Sequence, residues 1–432
     1  MKLKPLLALL VLMAAGATHA TVRKPLTTPV KADTTDAETR VNPVIDNEVS
    51  VATTPREYDF INYDSNHINL NGQSWEPLAR KFASIADGGR VSIVHIGDSH
   101  IQAEGSTSVT RSKFAEAYGD GGRGLITPFK LAGTNQPVDY TVTSDTEFTG
   151  SRLLKTPWPV QPGFTGIGIK PASDVFTLTI TSQTPFDGVR IFGSGSITIL
   201  DVAGMPFTTQ LIDSVPTVKF SSVSEATITL NTADAVLCGF ELLSDKPGVE
   251  YSAFGNNGAA FSSYTDLGGI VGPAVSYLHP DLIIVSLGTN EAFGTISDVA
   301  FYDTIDKLMN ELRAANPNAQ FLLTTPSECQ KSTIRTIRRG KRRRKVKSYA
   351  INKNVARLRD VIVEYGKDNG IPVYDWYEVA GGEGSSHKWL ANKLLGRDRI
   401  HLSWPGYAVM GSMLYDAIND AVVKSGNQSC NN

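Results

Sequence analysis

Two rhythms of apolar positions divide this chain. Up to about residue 125, and again after 258, short apolar runs alternate with segments whose apolar residues recur every three or four positions. Val-Ser-Ile-Val-His-Ile at 91–96 and Asp-Leu-Ile-Ile-Val-Ser-Leu at 281–287 read as buried strands. Helical spacing occurs over 75–86 with Leu78, Phe82 and Ile85, over 297–315 with Phe301, Ile305, Leu308 and Leu312, and over 348–366 with Ile351, Val355, Leu358 and Ile362. A further helix is expected over 103–118. It runs into Tyr118-Gly-Asp-Gly-Gly-Arg-Gly124, a tight turn that no strand precedes and no Lys-Ser/Thr follows, so a phosphate loop is a poor reading. Strands at 320–324 and 372–375 and a last helix over 405–424, with Pro405 in its first turn, complete the rhythm. Strands alternating with helices predict a parallel sheet covered on both faces.

Between 125 and 251 the period changes to two. Phe-Thr-Leu-Thr-Ile-Thr at 176–181, Ser-Ile-Thr-Ile-Leu at 196–200 and Ala-Thr-Ile-Thr-Leu at 226–230 alternate apolar and polar residues, with Gly, Pro, Asp and Ser between them. This predicts separate antiparallel strands of an all-β sandwich, inserted into the α/β domain with its two ends close together. The expected organisation is 1–20, 21–56, 57–125 (first part of the α/β domain), 126–250 (inserted β-sandwich) and 251–426 (second part).

The first two segments follow from composition. Lys2 and Lys4 precede an apolar stretch over 6–15 and small residues at Thr18-His-Ala20, the pattern of a secretory signal peptide, too short for a membrane span. No transmembrane anchor is expected after cleavage. Cleavage changes the formal charge from −2 to −4, since Lys2 and Lys4 leave and no acid does. Residues 21–56 are rich in Thr, Pro, Val and Asp, lack aromatic residues, and read as a flexible tether. A length of 432 residues is compatible with about two to three domains. Three cysteines, Cys238, Cys329 and Cys430, leave at least one thiol unpaired within the chain, and a Cys329–Cys430 bridge stays open. The seven histidines show no ligand-like spacing, and neither metal nor cofactor is expected.

The candidate chemistry lies in three short blocks. Gly97-Asp98-Ser99-His100 follows the first strand, so Ser99 stands where a strand turns into a helix. Its hydroxyl is then exposed and its N–H lies near a helix N-terminus, although Ser and Asp are also favoured caps there. Asp398-Arg-Ile-His401 places a carboxylate and an imidazole three residues apart, close enough to meet within one turn. Gly288-Thr-Asn290-Glu puts an amide at the end of strand 281–287, where open α/β sheets build their sites.

In order and strand context the three blocks resemble those of the SGNH, or GDSL-type, hydrolases, over most of residues 57–425 apart from the insert. The resemblance implies a three-layer α/β sandwich. It also implies a nucleophile at Ser99, a base at His401 and an orienting acid at Asp398. The oxyanion hole would be formed by the Ser99 N–H, the N–H of Gly258 (Gly255 is the alternative) and the Asn290 amide. Glu291 stands where many members carry Asp, with little expected effect. The insert and the blocks His95–His100 and Gly288–Ala292 resemble bacterial peptidoglycan O-acetylesterases with a carbohydrate-binding-like insert. The implied activity is hydrolysis of O-acetyl esters on an O-acetylated cell-wall glycan polymer, in a periplasm or after secretion. An acetylesterase for plant or host polysaccharide and a non-catalytic glycan-binding protein are the alternatives. Whether the β domain binds glycan or only covers the sheet stays open.

Arg338-Arg-Gly-Lys-Arg-Arg-Arg-Lys-Val-Lys347 holds eight basic residues in ten. It is expected to be a loop on the active-site rim: a solvated surface, a patch steering an anionic substrate, or, least favoured, a nucleic-acid or lipid contact. No nucleic-acid partner is expected. His100 is read as helix-start packing. Trp389, Trp404 and Tyr407 flank the last block, either to stack on sugar or to pack the core.

Overall fold

Five parallel strands and one short antiparallel strand form the central sheet, in the order Ile68–Asn69, Val373–Tyr374, Gln320–Thr324, Leu282–Ser286, Arg90–Gly97, Gly248–Gly255. The computed structural model describes residues 58–339 and 342–429. The expected signal peptide and tether (1–20 and 21–56) and Cys430 lie outside these residues.

The five parallel strands are buried on both faces, and alternation decides which residue meets which layer. Val94 and Ile96 join Phe254, Ile283 and Val285 against Phe301, Ile305, Leu308, Val355 and Ile362. Val91 and Ile93 face the other way, with Tyr251, Leu282 and Ile284, against Leu78, Phe82, Phe114, Leu414 and Ile418. The result is three layers: helices, sheet, helices. From strand Arg90–Gly97 the chain goes first to Gly248–Gly255 on one side and then to Leu282–Ser286 on the other. The sheet order therefore reverses at the strand that carries Ser99, the position where open α/β sheets bind ligands.

Several elements differ from expectation. Helix 103–118 begins only at Gly105, because Glu104 takes a left-handed conformation (φ +53°) that separates Gly105–Tyr118 from the short helix Ser99–Gln102. The carboxylate of Glu104 is buried between the guanidinium groups of Arg111 and Arg123, which also hold Asp139. Strand Gly248–Gly255 was not anticipated; it pairs with Arg90–Gly97 along its whole length, so the expected boundary at 250/251 falls inside a strand.

The alternating runs of the middle segment are not separate strands. Residues 176–181 and 196–200 both belong to one strand, Val175–Val202, and 226–230 lies within another, Val215–Leu243. Residues 175–190 pair with 231–217 along one edge, and 188–202 with 243–228 along the other. Pairing slips at Thr181/Phe186 and Ser194/Ser196, where Pro185 and Gly195 lie. Such irregularities bend a strand without ending it. The seven-stranded antiparallel sheet thereby curls around one core that includes Phe176, Ile180, Val189, Ile228, Leu237 and Phe240.

The basic segment is not a loop. Gln330–Arg339 and Arg342–Ile351 form an antiparallel hairpin in continuous register. It takes up the beginning of the helix expected over 348–366, which starts at Asn354. Cys238 and Cys329 are buried, and neither is bridged among the described residues.

Candidate active site

Where strand Arg90–Gly97 ends, Asp98 takes over the capping. Its carboxylate accepts the N–H of His100 at 2.9 Å, and its carbonyl accepts those of Ile101 and Gln102 at 3.1 and 3.0 Å. Burial pushes the Asp98 carboxyl up to about 6, against the opposing hydrogen bond from His100. Because Asp98 caps the turn, the Ser99 hydroxyl is free of that task. Two strand-end glycines let the turn sit this low. A Cβ on Gly255 would stand 2.4 Å from the Asp98 carbonyl oxygen, and one on Gly97 would stand 2.9 Å from that of Ser286.

The structure brings the three residues of the expected relay together from 302 positions apart in sequence. Ser99 Oγ lies 2.7 Å from His401 Nε2, and His401 Nδ1 lies 2.6 Å from Asp398 Oδ2. The other Asp398 oxygen accepts the N–H groups of Ile400 and His401, each at 3.0 Å. Asp398 and His401 meet across a non-helical turn, closed by the Gly396 N–H on the His401 carbonyl at 2.7 Å, in which Arg399 is left-handed (φ +67°). Partial burial works to raise the Asp398 carboxyl, but its hydrogen bond to His401 and the charge there outweigh this and hold it down to about 2. Burial likewise disfavours a charge on His401, yet the Asp398 carboxylate raises the imidazole above its ordinary value. An ionised acceptor at Nδ1 keeps the proton on that nitrogen and leaves Nε2 to face the serine hydroxyl.

The expected oxyanion donors are less uniform. Gly258 occupies the third position of a turn closed by the Ala259 N–H on the Asn256 carbonyl at 2.9 Å, with φ +85°, as a type II turn requires. Neither its N–H nor that of Ser99 makes a hydrogen bond among the described residues. Asn290 differs from expectation: its Nδ2 already donates to the Ala259 carbonyl at 2.8 Å and lies 3.4 Å from Asp98 Oδ2. That bond locks the amide against the turn holding Gly258. The neighbouring Glu291 carboxyl accepts the Phe261 N–H at 2.7 Å, and burial pushes it up to about 7.

His100 packs as expected: its Nδ1 lies 3.1 Å from the Tyr407 hydroxyl and its ring centroid 5.2 Å from that of His401. Burial drives it down to about 3, so it is neutral. Trp389 is a core residue, stacked edge-on against Phe60 and Trp376, whereas Trp404 is half exposed. Three residues escaped the sequence analysis. Gln102 accepts the Asn257 N–H at 2.7 Å, tying the Ser99 turn to the Gly258 turn. Tyr264 donates to the Gly97 carbonyl at 2.6 Å. Arg399 joins the Asp398 turn to the basic hairpin, since its carbonyl accepts the Gln330 N–H at 2.9 Å. A lone Gln, Tyr or Arg carries no local pattern that would have revealed these links. Among the described residues no three His, Cys, Asp or Glu side chains converge as a metal site would, and no helix is long and apolar enough to cross a membrane.

Known proteins resemble this chain in part of the sequence and in fold. Residues 232–409 match the GDSL-like Lipase/Acylhydrolase family, a span that holds Gly258, Asn290, Asp398 and His401 but begins after Ser99. The fold is similar to that of a solved peptidoglycan O-acetylesterase, with a TM-score of 0.66 and 20% identity over 82% of this chain and 98% of that one. A lipase/acylhydrolase from Enterococcus faecalis (18% identity) and a GDSL-like lipase from Bacteroides thetaiotaomicron (21%) each match over 40% of this chain and 76% of theirs, with TM-scores of 0.29. No curated protein matches in sequence.

Proposed function

We propose that this chain, a GDSL-type carboxylic ester hydrolase, removes O-acetyl groups from peptidoglycan through Ser99, His401 and Asp398. The observation that carries the reading is the unbroken line of hydrogen bonds from Ser99 Oγ through His401 to Asp398, 2.7 and 2.6 Å long. Ser99 Oγ attacks the acetyl carbonyl while His401 Nε2 takes its proton. The tetrahedral oxyanion is held by the N–H groups of Ser99 and Gly258, with Asn290 bracing the turn or lending its amide. His401 then gives its proton to the departing sugar oxygen. Water repeats the sequence on the acetyl-enzyme, with His401 again taking the proton, and acetate leaves.

The substrate class is supported by the reach of the structural likeness. A span of 82% of this chain is too long to leave out the antiparallel sheet between Gly124 and Leu243, so the likeness extends beyond the three-layer core. In this reading the antiparallel sheet between Gly124 and Leu243 forms a carbohydrate-binding-like insert. Residues 1–20 direct export, 21–56 act as a tether, and the enzyme works in the periplasm or outside the cell.

The test is acetate release from O-acetylated peptidoglycan and from acetylated xylan, by the native chain and by Ser99→Ala. Release from peptidoglycan, reduced about 10⁴-fold or more in the variant, is expected. Release mainly from xylan would move the enzyme to polysaccharide use with the same chemistry. A folded native chain that frees acetate from neither would overturn the esterase reading in favour of a glycan-binding protein.

A further inference from the structure

The hairpin Gln330–Arg339/Arg342–Ile351 carries a charge unlike that of the rest of the chain. Ten basic residues and no acid lie between Lys331 and Lys347, so in a chain of net charge −2 the remainder carries −12. The cross-strand register sets out where the charges stand. Arg338 faces Arg343, Thr336 faces Lys345 and Ile334 faces Lys347, while Ile337 faces Arg344 and Arg335 faces Val346. Side chains alternate along a strand. Arg338, Arg343, Lys345 and Lys347 therefore share one face, and Lys331, Arg335 and Arg344 the other. All but Lys331 are exposed. Arg338 opposite Arg343 is a like-charge pair that costs stability, and no carboxylate on the ribbon offsets it.

The root of the ribbon is fixed to the rim of the candidate active site at two points. On one side the Gln330 N–H donates to the Arg399 carbonyl at 2.9 Å, the Arg399 guanidinium donates to Gln330 Oε1 at 3.3 Å, and the same guanidinium lies 4.6 Å over the Tyr349 ring. Arg399 stands next to Asp398. On the other side Lys331 Nζ lies 5.5 Å over the ring of Phe293, in the short helix that follows Asn290. With ten residues in each strand, the ribbon reaches about 30 Å from these anchors.

We infer that this ribbon is a second binding site for the polymer substrate: it grips a flexible linear polyanion, the carboxylate-bearing wall glycan, on both faces and leads it to Ser99 at the root. The inference rests on the function proposed above. A flat anionic membrane can meet only one face of a two-stranded ribbon at a time. A flexible polymer can lie along both, and the placement of charge on both faces favours it. Attraction of this kind raises the local concentration of substrate and falls with ionic strength.

The experiment measures binding of Ser99→Ala to purified peptidoglycan sacculi, and to the same sacculi with their carboxyl groups amidated. A second protein adds Arg335→Gln, Arg338→Gln, Arg343→Gln, Arg344→Gln, Lys345→Gln and Lys347→Gln, none of which touches the Ser99–His401–Asp398 relay. At low salt, at least tenfold weaker binding is expected both from the added substitutions and from amidation, and about 0.5 M salt should abolish most of the difference. With Ser99 intact, the six substitutions should raise KM for the polymer while turnover of a small acetyl ester is retained. Equal binding to native and amidated sacculi, or preferential binding of the unaltered ribbon to anionic lipid vesicles or duplex DNA, overturns the inference. These two arms do not depend on the substituted protein folding. Acetate release without ribbon-dependent binding would sink the inference alone, and ribbon-dependent binding without acetate release would sink the proposed chemistry alone.

Discussion

His401 is the residue whose state governs the proposed chemistry, because it can accept the Ser99 proton only while neutral. Asp398 raises the imidazole above its ordinary 6.5, so kcat/KM should climb with pH through a midpoint higher than that value. Asp398→Asn removes both the charge and the acceptor on Nδ1. The midpoint should then fall to lower pH while the plateau drops about 10²–10⁴-fold. A pH profile of small-ester hydrolysis reads both effects, and an unmoved midpoint would contradict the role given to Asp398. The types and order of these residues were legible because the proposed nucleophile, base and acid each sit in a short block. The bond from the Asn290 amide to the Ala259 carbonyl was not legible, since that partner is a backbone group on another turn.

At the scale of elements, the Ser99 turn depends on how closely two strand ends approach. Gly255→Ala places a methyl 2.4 Å from the Asp98 carbonyl oxygen, and the turn carrying Ser99 must move to admit it. Overpacking of this kind costs about 1–3 kcal/mol. Thermal unfolding should register that cost, and esterase activity should fall further than stability alone explains. Gly258→Ala is a useful contrast. Its Cβ would meet only Leu154 Cγ at 3.8 Å, so its penalty is the positive φ, about 1–2 kcal/mol, with the N–H retained. If Gly255→Ala proves the milder of the two in activity, the close approach is not what positions Ser99. Helix Asp298–Ala315 was read almost to the residue because Ser297 caps it and its apolar stripe is regular. The basic hairpin was missed as an element because neither of its faces is buried, and a ribbon that is polar on both sides leaves no period to read.

Across the whole molecule, Arg190 ties the antiparallel sheet to the three-layer body. From strand Val175–Val202 it donates to Glu241 at 2.7 Å, to the Tyr277 carbonyl at 2.6 Å and to Asp213 at 3.2 Å, with its side chain 3% exposed. Burial raises the Glu241 carboxyl even with Arg190 beside it. Arg190→Met would leave that carboxylate buried and unpaired, at a cost of about 3–5 kcal/mol. The folded-state value of Glu241 would rise further above its unfolded value. Stability is then lost as pH rises above the ordinary carboxylate range, because the unfolded chain releases a proton that the folded one keeps. Urea unfolding at pH 5 and pH 7 should show the larger deficit at pH 7, and an equal deficit at both would show that Glu241 is not the group left stranded.

The chain by itself determined the strand–helix rhythm of the α/β regions, the change to period two between them, and the short blocks that hold the candidate chemistry. Helix and strand periods, glycine turns and short blocks are local, and the forces behind them act within a few residues. Tertiary structure alone decided three things. It set the pairing of the two long strands over Pro185 and Gly195, since an apparent breaker ends a strand only if the partner strand cannot follow the bend. It brought Gly97 and Gly255 together at the reversal point of the sheet, giving Ser99 its seat. It also fastened the basic ribbon to the turn of Asp398 and His401 through Arg399. Each of these joins residues far apart in sequence, where no local period carries the information and only the packing of the whole chain selects the partner.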